Sequence, residues 1–188
     1  MSTRDTTAEE REIVRFRESL RNFPSGVAVV TIPDRDGVHG MTASSFTSVS
    51  LSPRLCSVSV NKPGRMHGLL SGTDGTFGIS VLTDEQGGLA DHFARRPWAV
   101  APQMPTRWRS GTPVVADALV WLVCRKWAAY EGGDHTIFVG EVLDHGTGPV
   151  LRAPLLHHNS TYHRLGSPMG AAALPADATS EGDRPCTT

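Results

Sequence analysis

The apolar positions of this chain change their period several times, and each change marks an element. Across residues 9–23, Ile13, Phe16, Leu20 and Phe23 recur at helical spacing with Arg and Glu between them, which predicts an amphipathic helix. Thr7 is placed to cap it, with Glu10 three residues on, and Pro24 limits its end. Its stripe is expected to cover one end or face of a sheet. The run Val27-Ala28-Val29-Val30-Thr31-Ile32 then reads as a strand buried on both faces. Asp34-Arg35-Asp36-Gly37 is a hairpin signal, and Val38 begins the return strand. Residues 55–60 alternate, with Cys56, Val58 and Val60 on one face and Ser57 and Ser59 on the other. Asn61 therefore points the same way as Ser59.

Past Lys62-Pro63-Gly64, a short helix opens at Arg65 with Met66, Leu69 and Leu70 on one face. Residues 75–82 form another strand. Thr83 is expected to cap a helix over residues 84–94, with Leu89, Ala90 and Phe93 buried. Residues 95–113 hold several prolines, Trp98 and Trp108, and no period. They read as a long loop, either a lid or an ordered excursion pinned by the two tryptophans. Residues 118–130 and 135–143 are a strand pair turned by Glu131-Gly132-Gly133-Asp134, apolar on both faces as a barrel wall is. Residues 154–158 and 162–163 make a last short pair. The expected organisation is a disordered stretch at 1–8, one domain over 9–165, and a disordered tail at 166–188 rich in Gly, Ala, Pro and Ser. An N-terminal helix, about seven strands and two short inserted helices favour a mainly β fold, a closed or split antiparallel barrel.

Composition narrows the function classes. With 18 basic and 19 acidic residues the chain has no basic field for nucleic acid or anionic lipid. Hydrophobic content of 39% is ordinary for a globular protein, and no window approaches a membrane span. Cys56, Cys124 and Cys186 are far apart with no CxxC pair, which points away from zinc and disulfide frameworks. A reduced, cytoplasmic location is expected, without a secretory signal. His157, His158 and His163 lack a matching carboxylate or cysteine cluster, so no metal site is expected.

The candidate chemistry centres on Gly40-Met41-Thr42-Ala43-Ser44-Ser45-Phe46-Thr47-Ser48-Val49-Ser50, where six of eleven residues carry a hydroxyl. Small residues admit a ligand close to the backbone, and hydroxyls with exposed N–H groups hold phosphate. The stretch reads either as the floor of a phosphate-bearing cofactor site or as a hydroxyl-rich strand and turn. Lys62 and Arg65 beside a helix start form an anion site or simply face water. There is no GxGxxG, P-loop, GxSxG or HExxH motif.

Four segments resemble the short-chain flavin reductase family. They are Phe23-Pro24-Ser25-Gly26-Val27-Ala28-Val29-Val30-Thr31, the hydroxyl-rich stretch through Leu51, Gly132-Gly133-Asp134-His135-Thr136-Ile137-Phe138-Val139-Gly140-Glu141-Val142, and Tyr162-His163. The resemblance implies an FMN-binding split β-barrel of Greek-key type, built as a homodimer. It implies hydride transfer from NADH or NADPH to FAD or FMN, feeding a flavin-dependent monooxygenase or halogenase. Thr42, Ala43, Ser44 and Ser45 would hold flavin phosphate or ribityl groups. Ser59, Asn61 and Arg65 match the next flavin-contacting segment, Arg65 supplying charge to the phosphate. His92 and Phe93 match a helix near the flavin, His135 the residue associated with the nicotinamide, and Tyr162 the closing residue on that side. The chain departs from the pattern at Pro63, where relatives often carry Ser, and at Arg95-Arg96-Pro97-Trp98. The absence of an acid–base pair agrees with cofactor-borne hydride transfer. Two other readings are a non-enzymatic flavin-binding electron carrier and an oxidase of the related pyridoxamine-phosphate oxidase-like barrels.

Overall fold

The computed structural model describes residues 7–35, 37–95, 105–149 and 152–168. The elements in chain order are α1 (Ala8–Leu20), β1 (Ser25–Gly26), β2 (Ala28–Asp34), β3 (Gly37–Ala43), β4 (Thr47–Leu51), β5 (Arg54–Asn61), α2 (Arg65–Gly72), β6 (Thr76–Val81), α3 (Gly87–Phe93), β7 (Thr106–Arg109), β8 (Thr112–Val115), β9 (Val120–Gly132), β10 (His135–Thr147), β11 (Leu155–His158) and β12 (Thr161–Arg164). The main sheet runs β3-β2-β6-β9-β10-β5-β4, and every pairing in it is antiparallel. The crossings β3 to β4 and β5 to β6 carry the chain from one end of the sheet to the other and back. The sheet curls until β3 approaches β5, with α2 packed against both, yet β3 is not laddered to β5 or β4. This is a mainly β barrel, split along one seam.

Local rules explain the strands. Gly133, at φ +74°, turns β9 into β10 with His135 opposite Gly132, a conformation that suits glycine. Cys56, Val58 and Val60 of β5 point inward, nearly inaccessible, and meet Phe77, Ile79, Cys124, Phe138, Met66 and Leu70 in one cluster. Each of these larger side chains stabilises the fold by about 1.5–3 kcal/mol through burial. A second cluster, with Val27, Leu82, Leu89, Ala90 and Leu155, holds α3 and β11 against the outside of β2. The Cys56 and Cys124 sulfurs lie 3.6 Å apart in the first cluster. The hydrogen bond with Cys56, then burial, hold Cys124 above the ordinary thiol range.

Four expectations change. Thr7 and Glu10 do form a capping box, but Ile13, Phe16, Leu20 and Phe23 are exposed. The helical period is real, and among the described residues nothing covers the stripe. The third helix starts at Gly87 rather than residue 84, because Thr83 bridges Pro154 and Asp84 N–H donates to the Ala153 carbonyl. Part of the expected long loop is the hairpin β7–β8, turned by Ser110 and Gly111 at φ +47° and +76°. Residues 96–104 lie outside the described residues, as do 1–6 and 169–188 of the expected disordered ends. Finally, Trp127, Tyr130, Ile137 and Leu143 of β9 and β10 are exposed, so these strands are walled on one face only. Among the described residues no helix is long and apolar enough to cross a membrane.

Candidate flavin site

The split seam is hollow. Its largest cavity among the described residues, 530 Å³, is walled by His39, Gly40, Met41 and Thr42 of β3, Asn61 of β5, Gly64, Arg65 and Met66 at the start of α2, and Phe93, Ala94 and Arg95 at the end of α3. Thr42 and Ala94 also line a second cavity of 180 Å³ with Val27, Ser44, His157 and Tyr162. Ser44 and His157 continue into a third, of 340 Å³, against Arg17, Arg21 and Phe23 at the end of α1. The three adjoin in turn along the seam, sharing Thr42 and Ala94, then Ser44 and His157, and together they make up the groove. A separate hollow of 170 Å³ lies between the β7–β8 hairpin and Trp121, away from every predicted site residue.

The groove's shape follows from a few residues. Gly40 lies under the Phe93 ring, where a Cβ would come within 2.3 Å of a ring carbon. The Thr42 hydroxyl donates to the Ala90 carbonyl at 2.6 Å and ties α3 to β3. Ser45 Oγ donates to the Ser59 carbonyl at 3.1 Å and accepts the Ser59 N–H at 3.0 Å. That pair pins the turn after β3 to β5. Ala43 packs its side chain in the barrel core.

Of the predicted residues, Thr42, Ser44, Asn61, Arg65, Phe93 and Tyr162 share the groove. Ala43, Ser45 and Ser59 stand behind it as support. His92 contacts Phe93 edge-on, with ring centres 5.0 Å apart. His135 pairs in register with Asn61, so the two side chains share a face of the sheet. Its Nδ1 lies 2.7 Å from Asp134 Oδ1, and that bond holds the Asp134 carboxyl below the usual carboxylate range. Lys62 is paired with Glu131 at 2.5 Å, and the cavity lining does not include it.

Charge gathers at the α2 end. The helix starts at Gly64 with no side-chain cap, leaving backbone N–H groups that favour an anion. Arg65 Nη2 donates to Asp34 Oδ2 at 2.5 Å. Burial first, then the Arg65 and Arg95 charges, push the His39 pKa below its ordinary value, while Asp34 opposes them. His39, Asp34, Arg95 and His157 were not among the predicted site residues. The hairpin at Asp34-Arg35-Asp36-Gly37 held the signal for the first two, because its register sets His39 opposite Ile32 at the strand edge.

Residues 20–166 match the flavin reductase like domain. The chain belongs to that family. It is 36% identical over 166 residues to an NADH-dependent flavin reductase, StyB, of Pseudomonas fluorescens, covering 87% of this chain and 96% of that one. The NADH:FAD oxidoreductase SgcE6 of Streptomyces globisporus, solved in complex with NAD and FAD fragments, superposes with a TM-score of 0.77 at 36% identity, covering 88% of this chain and 100% of that one. BorF, the flavin reductase component of a bacterial two-component tryptophan halogenase, superposes at 0.73 and 36% identity, covering 83% and 99%. The groove of this flavin reductase family member fits a flavin on its own geometry. It has the size of a ligand pocket. It also has aromatic walls at Phe93 and Tyr162 and a cationic end at Arg65 and the α2 N-terminus. Among the described residues there is no cluster of His, Cys, Asp and Glu that could hold a metal ion.

Proposed function

We propose that this protein is an NAD(P)H-dependent flavin reductase that moves a hydride from NADH or NADPH to FAD or FMN and passes the reduced flavin to a monooxygenase or halogenase. The observation that carries this reading is the row of adjoining cavities along the barrel's open seam, cationic at one end and with aromatic side chains in their walls. FAD or FMN, when bound, supplies the redox chemistry. The chain's part is to bind, orient and exclude water. Arg65 and the α2 N-terminus hold the phosphate. Thr42, Ser44 and Asn61 line the ribityl path, with the Ser45–Ser59 tie keeping the turn rigid. Phe93 and Tyr162 flank the ring system, and His135, oriented by Asp134, positions the nicotinamide. The named activities of StyB, SgcE6 and BorF support the assignment.

The unit is a homodimer in this reading. Two apolar surfaces support it: the α1 stripe of Ile13, Phe16 and Leu20, and the outer sheet face with the paired Tyr130 and Ile137. Side chains of this size seldom lie exposed together on a lone domain.

The test mixes purified protein with each pairing of NADH or NADPH and FAD or FMN and follows the nicotinamide absorbance band. Turnover with at least one pairing is expected. Bound flavin with no oxidation of either nucleotide would favour an electron carrier on the same barrel, and no flavin interaction at all would end the proposal. Sedimentation at micromolar concentration should give a two-chain particle.

A further inference from the structure

Arg65 is already engaged. Its guanidinium, half exposed on the cavity wall, donates to an Asp34 carboxylate whose side chain is only 10% exposed. Both Asp34 oxygens are in use. Oδ1 accepts the Arg35 N–H at 2.8 Å within the hairpin turn, and Oδ2 accepts from Arg65. Asp34 is therefore the fixed partner, and Arg65, on a long side chain, is the one free to move. His39 and Arg95 line the same cavity, and Asp34 is the acid that opposes both arginines at His39. A phosphate entering this end meets one carboxylate that occupies its best donor and repels its charge.

We propose that Asp34 is a specificity-setting rival for Arg65: it competes with the phosphate of the bound flavin and keeps that flavin exchangeable. The inference rests on the flavin reading above. The pair also braces the β2–β3 hairpin to α2, and its cation lines the 530 Å³ cavity. Competition also predicts what a brace does not, namely a ligand effect confined to the phosphate. Asp34 acts through Arg65 and touches no reacting atom.

The decisive measurement is a fluorescence titration of FMN and of riboflavin, which lacks the phosphate, against the unmodified chain, Asp34→Asn, Arg65→Ala and the double variant. Asn keeps the Oδ1 acceptor for the Arg35 N–H and removes only the rival charge. Asp34→Asn should tighten FMN roughly tenfold and leave riboflavin within about twofold, and in the Arg65→Ala background that gain should largely disappear. Unchanged or weakened FMN binding, an equal gain for riboflavin, or a full gain without Arg65 would each overturn the competition. Should Asp34→Asn fail to fold, Asp34→Ser, which also offers the turn an acceptor, is held to the same outcomes. If Arg65→Ala weakens FMN selectively while Asp34→Asn changes nothing, only this inference falls. If the unmodified chain binds neither ligand, the functional reading falls first.

Discussion

Two joints of the barrel wall are built from the same chemistry and end differently: the closed seam, where β8 packs across the laddered β2 and β6, and the open seam between β3 and β5. Where β8 lies across β2 and β6, Thr31 donates to the Pro113 carbonyl at 2.5 Å. Ser80 accepts the Val115 N–H at 2.9 Å, and Thr76 pairs with Thr112. Thr31, Ser80 and Thr112 are fully inaccessible, and Gly78 has Pro113 O at 2.3 Å from where a Cβ would stand. Across the β3–β5 seam the hydroxyls of Thr42 and Ser45 are also bonded, yet the space beside them is an open groove. The difference lies in what faces each strand. Backbone of β8 comes down directly onto β6. At the open seam the facing bodies are α2 and α3, which stand off by a layer of side chains. A hydroxyl-rich strand is thus a way to fix a wall, and the neighbour decides whether the wall closes.

The most damaging way to test the closed seam is Gly78→Ala. The new methyl meets backbone and the Thr31 hydroxyl together, and β8 has to lift. A loss of roughly 3 kcal/mol in urea unfolding is expected from overpacking and the buried hydrogen bond it breaks. A loss below about 1 kcal/mol would mean that the seam yields, and the contrast would go with it.

A matched pair of substitutions sharpens the contrast. Thr31→Val removes the donor that the Pro113 carbonyl uses in the core, and should cost about 1–3 kcal/mol. Thr42→Val is milder, because the Ala90 carbonyl still accepts the Ala94 N–H; under about 1 kcal/mol is expected. Its effect should appear instead in flavin affinity, through a loosened α3. Equal stability losses for the two would show that both threonines are plain core hydroxyls.

The two seams also show why the sequence was legible only in part. Alternation at Cys56, Val58 and Val60, the Gly133 turn and the Thr7–Glu10 box are local, and local physics reads them. The Ser110-Gly111 turn is local too, but prolines at 105 and 113 hid the strands on either side. The α1 stripe shows the limit of periodicity, which identifies a helix without saying what covers it. In the site, Thr42, Ser44 and Arg65 could be found from residue type and neighbourhood. That Ser45 spends its hydroxyl on Ser59, or that Asp34 holds Arg65, depends on elements 14 and 31 residues apart, and no local pattern encodes that.

The smallest expected effect separates the seams by pH. The closed seam is lined by hydroxyls and glycine, none of which titrates near neutrality. The open one has His39, whose pKa in the folded chain is lowered from 6.5 by burial, then by Arg65 and Arg95, with Asp34 partly offsetting them. A histidine depressed by folding binds its proton more tightly when unfolded. It contributes nothing above the unfolded value. As pH falls through 6.5 toward the folded value it destabilises, and below the folded value the loss is complete. His39 is only partly buried, so the difference between melting at pH 8 and pH 5.5 attributable to it should be on the order of 1 °C. His39→Gln should flatten the profile by that amount. Asp34→Asn should steepen it, since a carboxylate favouring the charged imidazole is gone. A flavin-free profile that His39→Gln leaves as steep as before would show that the open seam carries no such charge cluster.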